Sequence, residues 1–196
     1  DEPLLLSQLT GVPVIVGWNR KRSIAWLAKQ HQYDLVISDD GLQHSAIKGD
    51  VEWCLIDGSR GLGNGLCIPA GPLREPAARL LQVDQVFTTG VPNSAIGKQL
   101  QQHMQGHSLH HLQSQLDQIK RVSDDLVVPW PDVHKPITAI AAIGNPQRFF
   151  DDLRHRGYEV DGQKYADHYQ FKEHDLPKRK LIMTAKDAVK CKVLAQ

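Results

Sequence analysis

The sequence predicts an α/β fold built on parallel β-sheets. Short apolar segments alternate with segments of helical periodicity along most of the chain, which is the pattern of βαβ units. Several apolar segments end in turns rich in aspartate and glycine, such as residues 38–41 and 57–58. The chain has 196 residues, of which 41% are hydrophobic, so it can bury a core in one or two domains.

Composition argues against several classes of protein. Lys and Arg number 23 and Asp and Glu 22, so the net charge of +1 offers no overall attraction for nucleic acid. The longest apolar segment without a charge, residues 137–143, is far shorter than the ~18 residues of a membrane span. The cysteines at 54, 67 and 191 are odd in number and widely spaced. They argue against a disulfide framework or a structural zinc site and indicate a reducing, cytoplasmic setting.

Both ends of the sequence are expected to lie inside a longer protein. The chain opens on Asp1-Glu2-Pro3, with no initiator methionine and no signal peptide. Its last residues are expected to form a helix that the sequence cuts short. We therefore interpret the chain as an internal fragment.

The first half of the chain is predicted to begin with two helices. Pro3 suits the first position of a helix and Glu2 suits the positive end of its dipole, so a helix begins there and stops at Thr10-Gly11. Residues 20–31 place apolar side chains at 24, 25, 27 and 28, on one helical face. Strands are predicted at residues 12–16, 35–37, 51–56 and 85–89, and a short helix at 77–82.

The second half is predicted to form a smaller α/β lobe. Residues 97–136 are rich in Gln and His with poor periodicity, and we interpret them as a connecting region. A helix follows at 145–156, with Asn145 as N-cap, Pro146 in the first turn and Gly157 as C-cap. Strands are predicted at 137–143 and 181–184, and a last helix at 185–194. The predicted divisions are residues 1–96, 97–136 and 137–196.

The carboxyl ends of the predicted strands carry the candidate ligand-binding residues, because ligands of parallel α/β sheets bind there. Residues 58–76 are rich in Gly and Pro and are predicted to form a long functional loop. Asp39 and Asp40 follow an apolar strand, and Mg²⁺ prefers such oxygen ligands while keeping several waters. Asp-Asp-Gly is also ordinary turn sequence, so both interpretations stay open.

Nucleotide-binding and hydrolase motifs are missing from the chain. Glycines 61, 63 and 65 lack the G-x-G-x-x-G spacing, and prolines 69 and 72 follow where a helix should begin. These glycines still suit a loop that approaches an anion with main-chain N–H groups. The pair Gly97-Lys98 lacks the other residues of a P-loop, so any P-loop is expected upstream of Asp1. G-x-S-x-G is absent.

Other polar residues have both a functional and an ordinary interpretation. Asp167-His168 fits a general base with an orienting acid, and also an ordinary surface histidine. Four histidines at helical spacing suggest a metal site, although Gln-rich surroundings favour a solvated face; they are His103, His107, His110 and His111. Candidate phosphate contacts that are otherwise solvated basic side chains are Arg20, Arg74 and Lys186.

Several motifs occur in a recognisable order. The two most specific are Asp39-Asp40-Gly41-Leu42-Gln43-His44 and Pro69-Ala70-Gly71-Pro72-Leu73-Arg74-Glu75. The others are DEPLLL at 1–6, RGLGNG at 60–65, GNPQRFF at 144–150, DH at 167–168 and MTAKDAVK at 183–190. In this order they resemble the tetraacyldisaccharide 4′-kinase family of lipid A biosynthesis over nearly the whole chain.

The resemblance implies a P-loop-kinase-like parallel-sheet core, incomplete here, over residues 1–96, and a second smaller α/β lobe. It implies transfer of the γ-phosphate of ATP, with Mg²⁺, to the 4′-hydroxyl of a tetraacyldisaccharide 1-phosphate lipid A precursor. It also implies a P-loop and a membrane-associating helix upstream of Asp1, at the cytoplasmic face of the bacterial inner membrane. The expected partners are therefore ATP, the lipid precursor and, through the upstream region, the membrane surface, but no nucleic acid. This chain alone is expected to be soluble and inactive.

The resemblance also implies roles for individual residues. The implied catalytic group has Asp1 as the acid of a pair with His168, and Asp167 beside them. The implied ligands of Mg²⁺ or its waters are Glu2, Asp39 and Asp40. The implied phosphate or substrate contacts are Arg20, His44 and Arg74, with Arg22 as an alternative to Arg20. The chain departs from the family pattern at Ala185, where many relatives have Glu, and at Tyr169, where a second His is common.

Two other interpretations stay open. One is an acceptor-binding module without catalysis, because ATP affinity should be low without a P-loop. The other is an unrelated α/β enzyme, such as a sugar-nucleotide transferase that binds a divalent metal through Asp39 and Asp40. A G-x-x-x-x-G-K-[ST] motif upstream of Asp1 would favour the kinase over both.

Overall fold

The computed structural model describes residues 2–30, 33–44, 46–177 and 179–192. They belong to two compact units, which we call the middle unit (Gly17–Ser114) and the end unit (Asp1–Val16 with Gln115–Gln196). The domain boundaries predicted at residues 96 and 136 stay predictions.

Helices and strands alternate over much of the described chain, as the sequence predicts, and four of the five strand pairs are parallel. The helices are α1 (Glu2–Thr10), α2 (Arg20–Gln30), α3 (Ser94–Met104), α4 (Pro146–His155) and α5 (Ala185–Cys191), with 3₁₀ helices at Ala77–Leu81 and Glu173–Asp175. The strands are β1 (Trp53–Asp57), β2 (Gln85–Thr89), β3 (Leu109–Leu112), β4 (Ile119–Lys120), β5 (Val127–Val128), β6 (Ile137–Ala141), β7 (Val160–Lys164) and β8 (Leu181–Met183).

The middle unit contains a three-stranded parallel sheet in the order β1-β2-β3. In β2, Val86 lies opposite Cys54 of β1 and Leu109 of β3. Leu100 and Met104 of α3 are fully buried against this sheet, because residues four apart share one helical face. The long loop predicted at residues 58–76 forms after β1 without a helix or a regular strand.

The end unit contains a second parallel sheet, in the order β7-β6-β8, and an antiparallel pair of β4 and β5. Every residue of β6 is buried, which is typical of a central strand in a parallel sheet. Asn145 caps α4 through its side chain, which accepts a hydrogen bond from the Arg148 N–H at 3.3 Å. Gly157 follows α4 with a positive φ of 96°, as a C-terminal glycine should.

Two predicted strands are wrong, because residues 12–16 and 35–37 form no strand. Leu35 and Ile37 are 74% and 85% exposed, so the apolar run that suggested a buried strand is not buried in this chain. A strand satisfies its main-chain polar groups only by pairing with a neighbour, and no strand of the described residues pairs with these segments.

Residues 97–136, which we interpreted as a connecting region because their periodicity is poor, contain regular elements. This region contains most of α3, all of β3 and the β4–β5 pair. The Gln-rich outer face of α3 obscured the apolar residues of its inner face. The sequence also missed β7, because this strand is exposed at the edge of its sheet and has no alternation of apolar residues.

The remaining predicted elements form close to their predicted positions. The predicted second helix extended to His31 and the last helix to Leu194, and both of these residues lie outside the described ones. No helix in the described part of the chain has the length and apolar character to cross a membrane.

Candidate active site

The turn after residues 35–37 carries Asp39 and Asp40, and Asp40 holds an arginine from the long loop. Arg74 Nη1 donates to both carboxylate oxygens of Asp40 at 2.7 Å. This hydrogen bonding raises the pKa of Arg74 above its ordinary value, so the guanidinium stays charged. The two side chains are 61% and 64% exposed, so the pair adds little stability and remains open to a ligand.

Side chains around this ion pair join the two most specific sequence motifs. Gln43 Nε2 donates to Glu75 Oε2 at 2.8 Å, and Gln43 Oε1 lies 3.5 Å from Arg74 Nη1. Gln43 lies 31 positions before Arg74 and 32 before Glu75 in the chain. The sequence could place each motif on a loop, but only the fold shows that the two loops meet.

Arg20 binds the same turn from the first residue of α2. Its Nη1 donates to the Ser38 hydroxyl and to the main-chain oxygen of Asp39. Arg22, the alternative in the sequence, donates its main-chain N–H to Asn19 Oδ1 at 3.0 Å, at the start of the helix. Arg20 thus has a side-chain contact with the turn that carries Asp39. His44 is half-buried at the end of the turn, where its main-chain N–H donates to the Gly41 carbonyl at 3.0 Å.

The loop that presents Arg74 is tied together by Asn64. The Asn64 side chain donates to the Ala70 carbonyl at 2.9 Å and accepts from the Leu66 N–H at 3.1 Å. The Leu73 N–H also donates to the Leu66 carbonyl at 3.2 Å. These hydrogen bonds fold residues 64–73 back on themselves. Arg74 therefore follows directly after a segment whose conformation is fixed.

A second group of candidate residues lies in the end unit. Lys186, at the start of α5, places its Nζ 2.7 Å from Glu2 Oε1 and 4.0 Å from Asp167 Oδ1. Asp167 Oδ2 lies 3.9 Å from His168 Nε2, and Asp167 Oδ1 accepts from the His168 main-chain N–H at 3.0 Å. Lys186, a candidate phosphate contact in the sequence, here bridges two carboxylates. Asp1, the predicted acid partner of His168, lies outside the described residues.

The predicted site residues are thus divided between the two units. Those of the middle unit are Arg20, Asp39, Asp40, His44 and Arg74. Those of the end unit are Glu2, Asp167 and His168. Each unit brings its own members together through the contacts above.

The candidate carboxylates suit a Mg²⁺ ion that is bound by few protein side chains and keeps most of its waters. Among the described residues, no three His, Cys, Asp or Glu side chains form a group that could hold a metal ion. Both oxygens of Asp40 contact Arg74, whereas Asp39 is exposed and uses its main-chain carbonyl to bind Arg20. Mg²⁺ keeps most of its waters and can bind through one carboxylate. Asp39 could therefore serve as a direct ligand, whereas Asp40 is the counter-ion of Arg74.

The four histidines at helical spacing do not share a helix. His103 lies in α3 and His107 follows it, whereas His110 and His111 are neighbours in β3. His111 Nδ1 lies 2.7 Å from the Thr88 hydroxyl, and His110 packs on Phe87 with ring centroids 5.4 Å apart. These contacts belong to the sheet.

Sequence reasoning also missed Asp187, which is 0% exposed at the first turn of α5. The spacing Thr184-x-x-Asp187 before a helix is close to a capping box and could have drawn attention to it. Tyr169, a departure from the family pattern, donates its hydroxyl to Asp175 Oδ2 at 3.2 Å and packs against Phe171. It thus supports the loop that carries His168.

Asp57 ends β1 and begins the long loop. Its Oδ1 accepts from the Ser59 hydroxyl at 2.6 Å and from the Ser59 N–H at 2.8 Å. Burial raises the pKa of Asp57, but these hydrogen bonds and the charge of Arg60 outweigh that effect. The pKa therefore lies below its ordinary value, and the charged carboxylate stabilises the start of the loop.

We expect Asp57→Asn to destabilise the complete gene product near neutral pH. A lowered folded-state pKa means that the carboxylate stabilises fully above the ordinary aspartate pKa of ~3.9. That contribution disappears as the pH falls through the folded-state value. Urea unfolding should show the largest difference from wild type at about pH 7 and a smaller one at about pH 3. A difference that is independent of pH would contradict this assignment.

The comparisons with known proteins agree with the motif order. The family model described as tetraacyldisaccharide-1-P 4′-kinase matches residues 1–196. The chain belongs to the tetraacyldisaccharide 4′-kinase family. The family predicted from the sequence is therefore confirmed, and the Asp40–Arg74 pair connects two motifs of this kinase family.

Curated members of the kinase family match all or nearly all of the chain. It is 41% identical over 202 residues to tetraacyldisaccharide 4′-kinase of Stutzerimonas stutzeri, covering 100% of this chain and 57% of that protein. It is 43% identical over 199 residues to that of Ectopseudomonas mendocina, with coverages of 100% and 57%. For Legionella pneumophila strain Corby the identity is 41% over 193 residues, with coverages of 97% and 56%. The chain thus spans little more than half the length of these kinases.

One solved structure is also similar to the chain, that of LpxK from Aquifex aeolicus in complex with ATP. The sequence identity is 22% and the TM-score is 0.49. The match covers 78% of this chain and 47% of that chain.

Proposed function

We propose that this chain is part of an ATP-dependent kinase acting on the 4′-hydroxyl of a tetraacyldisaccharide 1-phosphate lipid A precursor. The observation that carries the proposal is the cluster of two arginines and two aspartates at one turn of the middle unit. Such a cluster suits phosphoryl transfer, in which catalysis is mostly positioning and stabilisation of charge.

The basic residues of the cluster would bind phosphate oxygens. Arg74 stays charged and is 61% exposed, so its guanidinium can bind a phosphate group in the planar, paired geometry that arginine favours. Arg20 holds the turn and presents a second positive charge beside Asp39. His44 completes the set of proposed substrate contacts at the end of the turn.

Asp39 would hold Mg²⁺, with Asp40 as a second proposed ligand of the ion or its waters. Glu2, of the end unit, is proposed as a further ligand on the family resemblance alone. Bound Mg²⁺ would neutralise charge on the phosphates of ATP. Asp40 also keeps Arg74 beside the turn, and Glu2 is bound to Lys186, so both carboxylates orient cations as well. These contacts favour Asp39 as the residue whose loss affects metal binding most directly.

His168 would accept the proton of the attacking sugar hydroxyl, with Asp167 and Asp1 as its acidic partners. The Asp167 carboxylate, 3.9 Å from the imidazole, stabilises the positive charge that the ring acquires with the proton. The pairing of His168 with Asp1 rests on the family resemblance alone. The proposed partners are ATP, the lipid precursor and the cytoplasmic face of the inner membrane.

The decisive experiment measures 4′-phosphorylation of a lipid A disaccharide precursor by the complete gene product with Mg-ATP. Wild type should form product, and Asp39→Ala should lower kcat/KM by at least about 100-fold, because metal-mediated charge stabilisation contributes several kcal/mol. Asp50→Ala is the matched control, since Asp50 is an exposed aspartate of the same unit. It should behave as wild type.

Absence of product from the folded complete protein would contradict the kinase proposal and favour a binding module or a transferase. Product formation that survives Asp39→Ala would retain the kinase and reject Asp39 as its metal ligand. The two results are distinguishable because the wild type is assayed beside the variant.

A further inference from the structure

We propose that Asp187 is a positioning residue for His168 and acts through the main chain of Ala142. The proposal rests on the proposed function only in giving His168 a role in proton transfer. Asp187 lies in the first turn of α5, whereas His168 lies in the loop after β7. The peptide after β6 connects them.

The first link joins α5 to the end of β6. Asp187 Oδ2 accepts a hydrogen bond from the Ala142 main-chain N–H at 3.1 Å. The same oxygen accepts from the Thr184 hydroxyl at 2.8 Å, while Thr184 Oγ1 accepts from the Asp187 N–H at 3.2 Å. Thr184 thus caps the helix and fixes the carboxylate that holds Ala142.

The second link joins Ala142 to the proposed base. The Ala142 carbonyl accepts a hydrogen bond from the His168 main-chain N–H at 3.3 Å. Ala142 is 0% exposed, so neither of its main-chain polar groups can turn to solvent instead. One buried residue is therefore held by Asp187 through its N–H and holds His168 through its carbonyl.

The backbone at His168 depends on such external support. His168 has a φ of 60°, a left-handed conformation that is uncommon for residues other than glycine. Conformations of this kind persist only where surrounding contacts hold them. Contacts that support this turn include the Ala142 carbonyl, the Asp167 carboxylate and the hydrogen bond from the Tyr169 N–H to the Ala166 carbonyl at 3.1 Å.

The buried ion pair of Asp187 with Lys190 is better explained by the alignment of the Asp187 carboxylate than by a gain in stability. Lys190 Nζ lies 2.8 Å from Asp187 Oδ1, and its side chain is only 4% exposed. The contact is a buried ion pair between neighbouring turns of α5. Burying such a pair contributes little net stability compared with apolar packing. The contact of Asp187 with Ala142, which in turn binds the His168 N–H, instead suits a side chain that keeps the His168 turn aligned.

The test replaces the ion pair with apolar groups in the complete gene product, as Asp187→Leu combined with Lys190→Met. Such a replacement commonly preserves stability, but leucine cannot accept the Ala142 N–H. We expect kcat for 4′-phosphorylation to fall about 10- to 100-fold, as for other orienting partners, with KM for ATP and acceptor nearly unchanged. Asp187→Asn keeps an acceptor oxygen and should retain most of kcat.

A second pair of variants serves if the double variant does not fold. Thr184→Val removes the hydroxyl that aligns Asp187 with little change of volume, and Thr184→Ser keeps it. We expect a lower kcat for the valine variant and a wild-type kcat for the serine variant. Asp161→Asn is the control, because Asp161 forms an exposed ion pair with Arg179 in the same unit.

The ¹H–¹⁵N resonance of the His168 main-chain amide provides a readout besides activity. It should move in the double variant and in Thr184→Val, and stay in place in Thr184→Ser and Asp161→Asn. A folded double variant with wild-type kcat or an unmoved His168 resonance would overturn the proposal. If wild type itself lacks kinase activity, the proposed function fails, and the resonance alone still decides whether Asp187 positions His168.

Discussion

His168→Ala should lower the kcat of the complete gene product by about 100- to 10,000-fold, the usual contribution of a positioned general base. The variant removes the imidazole that would accept the hydroxyl proton, while the Asp167 carboxylate and the local turn remain. Binding of ATP and acceptor should change little, so the loss should appear in kcat and not in KM. Initial rates of 4′-phosphorylation at saturating ATP measure this directly.

His134→Ala provides the matched control for this experiment. His134 is an exposed histidine of the same unit, and its main-chain N–H donates to Asp132 Oδ1 at 3.0 Å. Removing its side chain should leave the rate at the wild-type value. A His168→Ala protein that is folded and retains more than about a tenth of wild-type kcat would reject His168 as the proton acceptor.

Gly71→Ala should destabilise the long loop and remove activity as well. A Cβ at position 71 would lie 2.1 Å from Asn64 Oδ1 and 2.3 Å from the Leu66 carbonyl oxygen. Both oxygens belong to the hydrogen-bonded segment that folds the loop, so the backbone must shift. We expect the free energy of unfolding to fall by about 1–3 kcal/mol. Arg74, three residues later, should lose its alignment with Asp40.

Gly97→Ala is the corresponding control, because Gly97 lies inside α3 with nothing within 4 Å of an added Cβ. Alanine favours a helix more than glycine does, so the free energy of unfolding of this variant should rise by up to about 1 kcal/mol. Urea unfolding of both proteins and wild type measures the two effects with opposite signs. A Gly71→Ala protein as stable as wild type would show that the loop relaxes without cost.

The sequence alone predicted the elements whose signals are complete within a few residues. The helix α1 has Glu2 and Pro3 at its start, and α4 has a capping asparagine, a first-turn proline and a terminal glycine. The strand β6 is a continuous apolar run, typical of a buried parallel strand. The family was also predicted from the sequence, because the identity and order of its motifs do not depend on the conformation of the chain.

Strand pairing and burial were decided by the tertiary structure. Residues 35–37 are apolar but form no strand, because no neighbouring strand of the described chain pairs with them. The polar segment β7 does form a strand, because it pairs with β6 at the edge of the sheet. The same limit applies to the candidate site, where Lys186 binds Glu2 from 184 positions away. The complete burial of Asp187 likewise has no local signature. Contacts between distant segments arise from packing, and residue patterns that report local conformation carry no record of them.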